Sequence, residues 1–238
     1  MSEVQSLRVK IFGDGADKVS LLELYAKSYN KGFTTNPTLM RKAGVTDYCA
    51  FALEILNVIR DRPISFEVFS DEFEDMEQQA RVIASWGENV YVKIPITNTR
   101  REPAYDLLRR LAQQGIKVNV TALMTVKQVR SAAEALGNGP PACISVFAGR
   151  IADTGRDPLP MMTSALEAMN PYPNLELIWA SPRELLNVFQ ADAIGCHIIT
   201  VTPDILKKLE FVGKNLDDFS LDTVKMFYRD AQAAGYKI

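Results

Sequence analysis

Apolar and polar positions along the chain follow two alternating patterns. Short runs rich in β-branched and aromatic residues predict strands that are buried on both faces. Each run is followed by a stretch in which apolar residues recur every three or four positions, the spacing of one helix face. The predicted strands cover residues 7–13, 32–36, 64–70, 89–95, 116–122, 142–148, 175–181 and 196–202.

Two stretches show the helical spacing most plainly. The first is predicted to bury a face made of Cys49, Ala52, Leu53, Leu56 and Ile59. The second is predicted to bury Leu107, Leu108, Leu111 and Ala112. We expect this helix to end just before Gly115, because glycine is common immediately beyond a helix C-terminus.

The order of these elements predicts the fold. Apolar strands that alternate with helices form a parallel sheet covered by helices. Eight such units in 238 residues indicate a (β/α)8 TIM barrel. The alternative is an open doubly wound sheet, which the lack of a GxGxxG turn after the first strand disfavours. No linker or composition break divides the chain, so we predict one domain over residues 1–238 with a C-terminal helical extension at about 220–236.

Composition limits which binding partners and which cellular compartment the sequence predicts. A net charge of −2 and a pI near 5.6 predict neither nucleic acid nor an anionic membrane as a partner. No run approaches the roughly 18 apolar residues of a membrane span, and residues 1–15 lack the apolar stretch of a signal peptide. Cys49, Cys143 and Cys196 form no CxxC pair and are predicted to be reduced core thiols. The prediction is a cytoplasmic protein.

Polar residues lie at the carboxyl ends of the predicted strands, where barrel enzymes carry their chemistry. Taken singly, each has a structural explanation; Asn36, for example, suits a helix N-cap. Glu67 and Lys93 stand out because they are charged residues inside apolar strands. They predict either a buried ion pair that holds the barrel together or a functional site. The full set is Asp14, Thr34, Thr35, Asn36, Glu67, Lys93, Asn119, Thr121, Ser145, Arg150, Ser181 and Arg183.

These residue types suggest a reaction. Desolvation favours the uncharged form of an amine, which can attack a carbonyl and form a Schiff base. Such a cycle needs carboxylates for proton transfer, and Asp14 and Glu67 are the acids at this rim. Arg150, Ser181 and Arg183 on the late strands are suited to bind a phosphate.

Other chemistries have little support. The only histidine, His197, lies within an apolar strand and is predicted to be a core residue. The chain has no GxSxG, HExxH or CxxC motif, so neither triad hydrolysis nor a familiar metal site is indicated. We predict no metal and no cofactor.

Five segments resemble the motif series of the transaldolases, in the same order along the chain. They are GFTTNPTLM (32–40), VKIP (92–95), KVNVTALM (117–124), SVFAGRI (145–151) and WASPRE (179–184). The resemblance covers roughly residues 8–210 and implies a (β/α)8 barrel that uses a Schiff-base lysine and no metal. It implies transfer of a dihydroxyacetone unit from a ketose phosphate to an aldehyde acceptor.

The resemblance also implies roles for individual residues. Lys93 matches the Schiff-base lysine, and Asp14 matches the acid/base for carbon–carbon cleavage. Glu67 and Thr121 match the pair that holds a catalytic water. Asn36 and Asn119 match contacts to the dihydroxyacetone unit, with Ser145 beside it, and Arg150, Ser181 and Arg183 match the phosphate binders. The predicted substrate-binding set is Thr34, Asn36, Asn119, Ser145, Phe147, Arg150, Ser181 and Arg183.

Alternatives remain within and outside this family. Close relatives that act as fructose 6-phosphate aldolases release free dihydroxyacetone, and they tend to carry glutamine at Glu67 and tyrosine at Phe147. A barrel that binds sugar phosphate without turning it over is the non-enzymatic alternative. Pro182 departs from the family pattern and could re-aim Arg183. The short chain resembles a compact subfamily that forms pentamers or decamers, so a homo-oligomer is expected.

Overall fold

The protein is a closed barrel of eight parallel strands. The structure, a computed structural model, describes Val4 and residues 6–238. Neighbours in the sequence are neighbours in the barrel, and β8 pairs with β1 to close it. This confirms the predicted (β/α)8 barrel over the open sheet. The strands are β1 Lys10–Asp14, β2 Asn30–Thr34, β3 Ile64–Glu67, β4 Val90–Pro95, β5 Val118–Leu123, β6 Ala142–Val146, β7 Leu175–Trp179 and β8 Ile198–Val201.

Helices connect the strands and surround the barrel. Two helices follow β2 and two follow β6, whereas single helices fill most other connections. A 3-10 helix at Lys207–Phe211 precedes the last helix. The α-helices are α1 Lys18–Tyr25, α2 Pro37–Lys42, α3 Tyr48–Val58, α4 Phe73–Ala84, α5 Tyr105–Gln113, α6 Val126–Leu136, α7 Ala148–Ala152, α8 Leu159–Met169, α9 Leu186–Ala193, α10 Pro203–Leu206 and α11 Leu216–Ala234.

Apolar side chains are buried in two layers. The larger layer lies between the barrel and its helices and includes Phe33, Phe66 and Trp179. Side chains alternate across each strand, so the other set of positions fills the barrel interior. That smaller cluster consists of Phe12, Cys143, Ile178, Ala180 and Ile198.

The predicted face of α3 is partly wrong. Ala52, Leu56 and Ile59 are buried as expected, but Leu53 is exposed and Cys49 lies on the surface. The buried stripe runs through Ile55 instead, because positions 52, 55, 56 and 59 complete one face at helical spacing. Cys49 lies in the first turn and lines an open groove beside Phe69 and Trp86. The core-thiol prediction therefore holds for Cys143 and Cys196 and is wrong for Cys49.

The second predicted helix is confirmed in detail. Helix α5 buries Leu107, Leu108, Leu111 and Ala112. Gly115 follows it with φ +75°, a left-handed conformation that glycine adopts without a steric penalty.

The C-terminal helix is confirmed but begins earlier than predicted, at Leu216 and not near residue 220. Asn215 explains the start, since its side chain accepts hydrogen bonds from the amides of Asp217 and Asp218. None of the residues of α11 is buried.

No helix in the described ranges is long and apolar enough to cross a bilayer. The prediction about a signal peptide involves residues 1–3 and 5, which lie outside the described residues.

Candidate active site

Lys93 is buried where three neighbouring strands carry polar residues at one level. Glu67, Lys93 and Asn119 are direct register partners across β3, β4 and β5, so their side chains project to the same side of the sheet. Only 6% of the Lys93 side chain is exposed, and its Nζ lies 3.1 Å from Glu67 Oε2. Nζ also donates to the backbone oxygen of Thr35 over 2.8 Å. The predicted ion pair is therefore present, at the carboxyl rim, where it contributes little to stability.

Asp14 faces this pair at the end of β1. Thr34 Oγ1 donates to Asp14 Oδ1 over 2.7 Å and lies 2.5 Å from Thr200 Oγ1. A hydroxyl has a single proton to donate, so while Asp14 is ionised Thr34 donates to Asp14 and Thr200 donates to Thr34. Burial raises the pKa of Asp14; Lys93 and the Thr34 hydrogen bond oppose this effect, and Glu67 adds to it. The rim thus holds a carboxyl that takes up a proton more readily than usual.

Buried hydroxyls fix the amide of Asn119. Ser145 Oγ donates to Asn119 Oδ1 over 2.7 Å, and Asn119 Nδ2 donates to Ser65 Oγ over 3.0 Å. The two contacts hold both ends of the amide, because a serine hydroxyl can either donate or accept. Asn119 keeps one further N–H and one further lone pair for a bound molecule.

Thr121 is buried one inward position above Asn119. Its Oγ1 has no hydrogen-bond partner within the described residues. The pairing of β5 with β6 shifts between Val120 and Leu123, and Ala122 has φ +66°. A non-glycine residue in this conformation is strained, and such strain is concentrated at functional sites.

Asn36 and Thr35 have structural partners at the end of β2. Asn36 is the N-cap of α2, since its side chain accepts from the amide of Leu39 at 2.9 Å. Thr35 Oγ1 donates to the backbone oxygen of Ser65. The predicted role of Asn36 as a helix N-cap is therefore confirmed, and the capping hydrogen bond fixes its side chain at the rim.

A second group of predicted residues lies on α7 and on the loop after β7, which pack closely together. A Cβ on Gly149 in α7 would lie 1.5 Å from the backbone oxygen of Ser181, so the helix and the loop approach at a distance that only glycine permits. Ser181 has φ +59°, a second strained residue at this rim. Arg150 Cζ lies 5.6 Å from the ring centroid of Phe147, and that ring packs against the barrel interior.

Arg183 is already engaged by a carboxylate. Its Nε donates to Asp153 Oδ1 over 2.9 Å, and a second nitrogen donates to Asp153 Oδ2. The Arg183 hydrogen bonds lower the pKa of Asp153, and the charge of Arg150 contributes to the same effect. Arg150, Asp153 and Arg183 together carry a net charge of +1, whereas the two arginines alone would carry +2.

Sequence reasoning missed four residues of this region. Thr200 and Ser65 are buried residues inside predicted strands. Their neighbours along the chain are mostly apolar, so the pattern of each segment indicates core and does not identify the hydroxyls as part of the site. The Tyr48 hydroxyl binds the backbone of Glu67, and Asp153 lies at the C-cap of α7, so neither had a motif to reveal it.

His197 precedes β8 and accepts a hydrogen bond from the amide of Leu177 at Nδ1. This is a structural role, but His197 is only partly buried, so its prediction as a core residue holds only in part. Within the part of the chain that the structure describes, no group of three His, Cys, Asp or Glu side chains could hold a metal ion.

The barrel and its polar rim define the class of (β/α)8-barrel enzymes. The family model "Transaldolase/Fructose-6-phosphate aldolase" matches residues 11–238, and the chain belongs to that family. A probable transaldolase of Thermoanaerobacter is 34% identical over 97% of this chain and 100% of its own length. Probable transaldolases of Brucella ovis and Methanococcus maripaludis are 33% identical, with 97% and 84% of this chain covered and 100% and 89% of their own lengths.

Among solved structures, a mandelate oxidase matches 82% of this chain and 63% of its own at a TM-score of 0.52. The identity is 13%, so this likeness supports the barrel fold alone.

The raised pKa of Asp14 predicts a distinct pH dependence of stability. The native state binds the proton of Asp14 at a higher pH than the unfolded chain does, so wild type loses stability as pH rises through the folded pKa. Asp14→Asn lacks this titration and should be the more stable protein at pH 7. Its advantage should shrink as pH falls, by up to about 1.4 kcal/mol per pH unit. Urea unfolding at a series of pH values measures the difference.

Asp17→Asn is the matched control, because the backbone and side chain of Ser20 lower the pKa of Asp17. The sign is reversed there: wild type should exceed that variant in stability at neutral pH and lose the advantage in acid. A difference between wild type and Asp14→Asn that stays constant with pH would contradict the prediction for Asp14.

Proposed function

We propose that the protein is a transaldolase that moves a dihydroxyacetone unit from a ketose phosphate to an aldose phosphate through a Schiff base on Lys93. The observation that carries the proposal is the position of Lys93 Nζ, buried at the strand end with Glu67 Oε2 3.1 Å away. Asp14 at the same rim and membership in the transaldolase/fructose-6-phosphate aldolase family support it.

The first stage forms the Schiff base. The Lys93 ammonium gives a proton to Glu67, its nearest carboxylate, and the free amine adds to the ketose carbonyl. Loss of water leaves a carbon–nitrogen double bond to Nζ. Glu67 and the unpartnered hydroxyl of Thr121 are the groups suited to hold that water as it leaves and returns.

The second stage breaks and remakes a carbon–carbon bond. The protonated imine draws electrons from the adjacent bond, and Asp14 removes the proton from the hydroxyl beyond it. The aldehyde fragment departs, and the three-carbon unit stays on Lys93 as an enamine. When an acceptor aldehyde binds, the steps run backwards and Asp14 returns the proton. A carboxyl with a raised pKa suits both directions, since it must exist in both protonation states.

The remaining rim residues bind substrate in this proposal. Asn36, Asn119 and Ser145 contact the three-carbon unit, with the Asn119 side chain held in place by the hydroxyls of Ser65 and Ser145. Thr34 supports Asp14 by its hydrogen bond. Arg150, Ser181 and Arg183 bind the phosphate, with the charge of Arg183 partly offset by Asp153.

The aldolase alternative is the second candidate. Phe147 favours transfer, because its ring brings no proton to the waiting enamine and packs on the apolar interior. Glu67, which is glutamine in the aldolase relatives, favours transfer as well.

One experiment tests the reaction. With fructose 6-phosphate and borohydride, we expect a reduced three-carbon or sugar adduct on the peptide that contains Lys93. With erythrose 4-phosphate as acceptor, we expect sedoheptulose 7-phosphate. Lys93→Arg keeps the charge beside Glu67 and should give neither adduct nor product. Lys117→Arg makes the same change at a lysine that donates only to a backbone oxygen and should behave as wild type.

Each outcome bears on a different part of the proposal. An adduct on another lysine, or turnover without any adduct, would refute the role of Lys93. Free dihydroxyacetone released at one rate with and without the acceptor would favour the aldolase.

Arg150 provides a test of phosphate binding. No carboxylate pairs with it among the described residues, so its guanidinium is available to bind an anion. A charge-assisted hydrogen bond contributes about 1.5–3 kcal/mol. Arg150→Ala should therefore raise KM for phosphorylated substrates about 10- to 100-fold and leave KM for unphosphorylated analogues nearly unchanged. Arg156→Ala removes a nearby exposed arginine that donates to Thr154 and should change neither. Equal losses on both substrate types would contradict a phosphate role for Arg150.

We also propose that the chain forms a homo-oligomer through α11. A helix of 19 residues needs packing of an apolar face to be stable, yet none of its residues is buried. Its exposed apolar residues include Val224 at 60% and Phe227 at 63% exposure, in register with Leu216 and Ala231 on one face. We propose that a second copy of the chain covers this exposed apolar face of α11.

Light scattering measures the assembly. The wild-type mass should be a multiple of 26.5 kDa, and Phe227→Asp should lower it because a carboxylate cannot be buried in an apolar interface without a large penalty. Lys225→Asp introduces the same group on the polar face of α11 and should leave the mass unchanged. A wild-type monomer, or equal effects of both variants, would count against α11 as the interface.

A further inference from the structure

We propose that Tyr48 is a positioning residue whose hydroxyl holds Glu67 against Lys93. This inference rests on the proposed function and assigns a role to a residue outside the rim. Tyr48 Oη accepts from the Glu67 amide over 2.8 Å and donates to the Glu67 backbone oxygen over 2.9 Å. One hydroxyl therefore satisfies both backbone groups of the residue that carries the carboxylate.

The topology explains why Glu67 needs this partner. Pro63, Ser65 and Glu67 direct their backbone groups toward β2, since alternate residues of a strand face the same neighbour. Pro63 and Ser65 accept from the amides of Phe33 and Thr35. Strand β2 ends at Thr34, and the chain then turns into α2, so no strand reaches Glu67 on that side. The phenol of Tyr48 takes the place of the missing strand.

Tyr48 is itself held firmly. Its ring lies 6.4 Å from that of Phe66, 5.6 Å from Phe69 and 6.1 Å from Trp86, centroid to centroid. The residue begins α3, which Asp47 caps. Burial raises the pKa of Tyr48, so the phenol stays protonated and keeps its donor for the Glu67 oxygen. Tyr48 is thus fixed by its packing in the helix layer, and its hydroxyl restrains Glu67, the last residue of β3.

Glu67 is held from two sides, by β4 on one and by Tyr48 on the other. On the β4 side, Glu67 pairs with Lys93, and the Val68 amide donates to the Lys93 backbone oxygen over 3.1 Å. Tyr48 fixes the opposite side of the same residue. Without the phenol oxygen, two partly buried backbone groups lose their partner, and the end of β3 loses the contact that holds it. A displacement of about 1 Å in a reacting group can reduce turnover by roughly 100-fold.

Tyr48→Phe removes this oxygen and keeps the ring packing. We expect kcat to fall about 10- to 100-fold with little change in KM, because the substrate contacts lie elsewhere. The pH profile of kcat should shift, since the spacing of Glu67 from the other titratable groups that face it, Lys93 and Asp14, changes. Tyr25→Phe is the matched control: it also deletes a phenol donor, one bound to Asp61. Borohydride trapping on Lys93 is measured in all three proteins.

The outcomes separate this inference from the proposed function. A lower kcat with a shifted pH profile, retained trapping and an intact fold would support the role of Tyr48. If wild type traps substrate on Lys93 but Tyr48→Phe keeps its kcat and pH profile, the inference is wrong and the proposed function stands. A kcat that falls only in proportion to the folded fraction, with an unmoved pH profile, also overturns it, because Tyr48 then only stabilises the fold. Absence of trapping in wild type would instead refute the proposed function.

Discussion

The contact between Lys93 Nζ and Glu67 Oε2 is the interaction around which the rim is arranged. It exists because β3 and β4 pair in a register that places the two residues directly opposite each other. The same register continues to Asn119 on β5, so a single hydrogen-bond ladder sets the positions of cation, anion and amide. In a parallel sheet a slip of one residue would turn all these side chains to the opposite face, which makes the register a condition for any chemistry at this rim.

Charge is handled differently at the two ends of this rim. Around Lys93, one ammonium faces two carboxyl groups, and burial relieves the excess negative charge by favouring the protonated form of Asp14. Around Arg183, its guanidinium binds one exposed carboxylate, Asp153, and this contact lowers the pKa of Asp153, while Arg150 lies near enough to add to the effect by its charge. The first arrangement favours proton exchange, whereas the second leaves a modest positive potential for an anion. The separation suits the proposed substrate, which would react at one end and carry a phosphate at the other.

Much of the fold could be predicted from the sequence because buried parallel strands are rich in apolar residues, and most of the eight strands leave that mark. The exception is β2, in which Phe33 is the only large apolar residue. The rim residues followed from the fold rule that strand ends converge, as Lys93 and Glu67 do. Features that depend on a particular packing could not be predicted. Cys49 has the periodicity of a buried residue but lies where α3 borders an open groove. Tyr48 and Thr200 act through a backbone or another hydroxyl, and neither contact has a sequence signature.

The hydrogen bonds that reach Asp14 cross the seam of the barrel. Thr200 belongs to β8 and Thr34 to β2, and they flank β1 on its two sides. A chain emerging from the ribosome has Lys93 and Glu67 long before it has Thr200, so the amine and its carboxylate can meet while the acid at β1 still lacks its full support. The acid at β1 therefore gains its full hydrogen-bond support only when the last strand has joined the barrel.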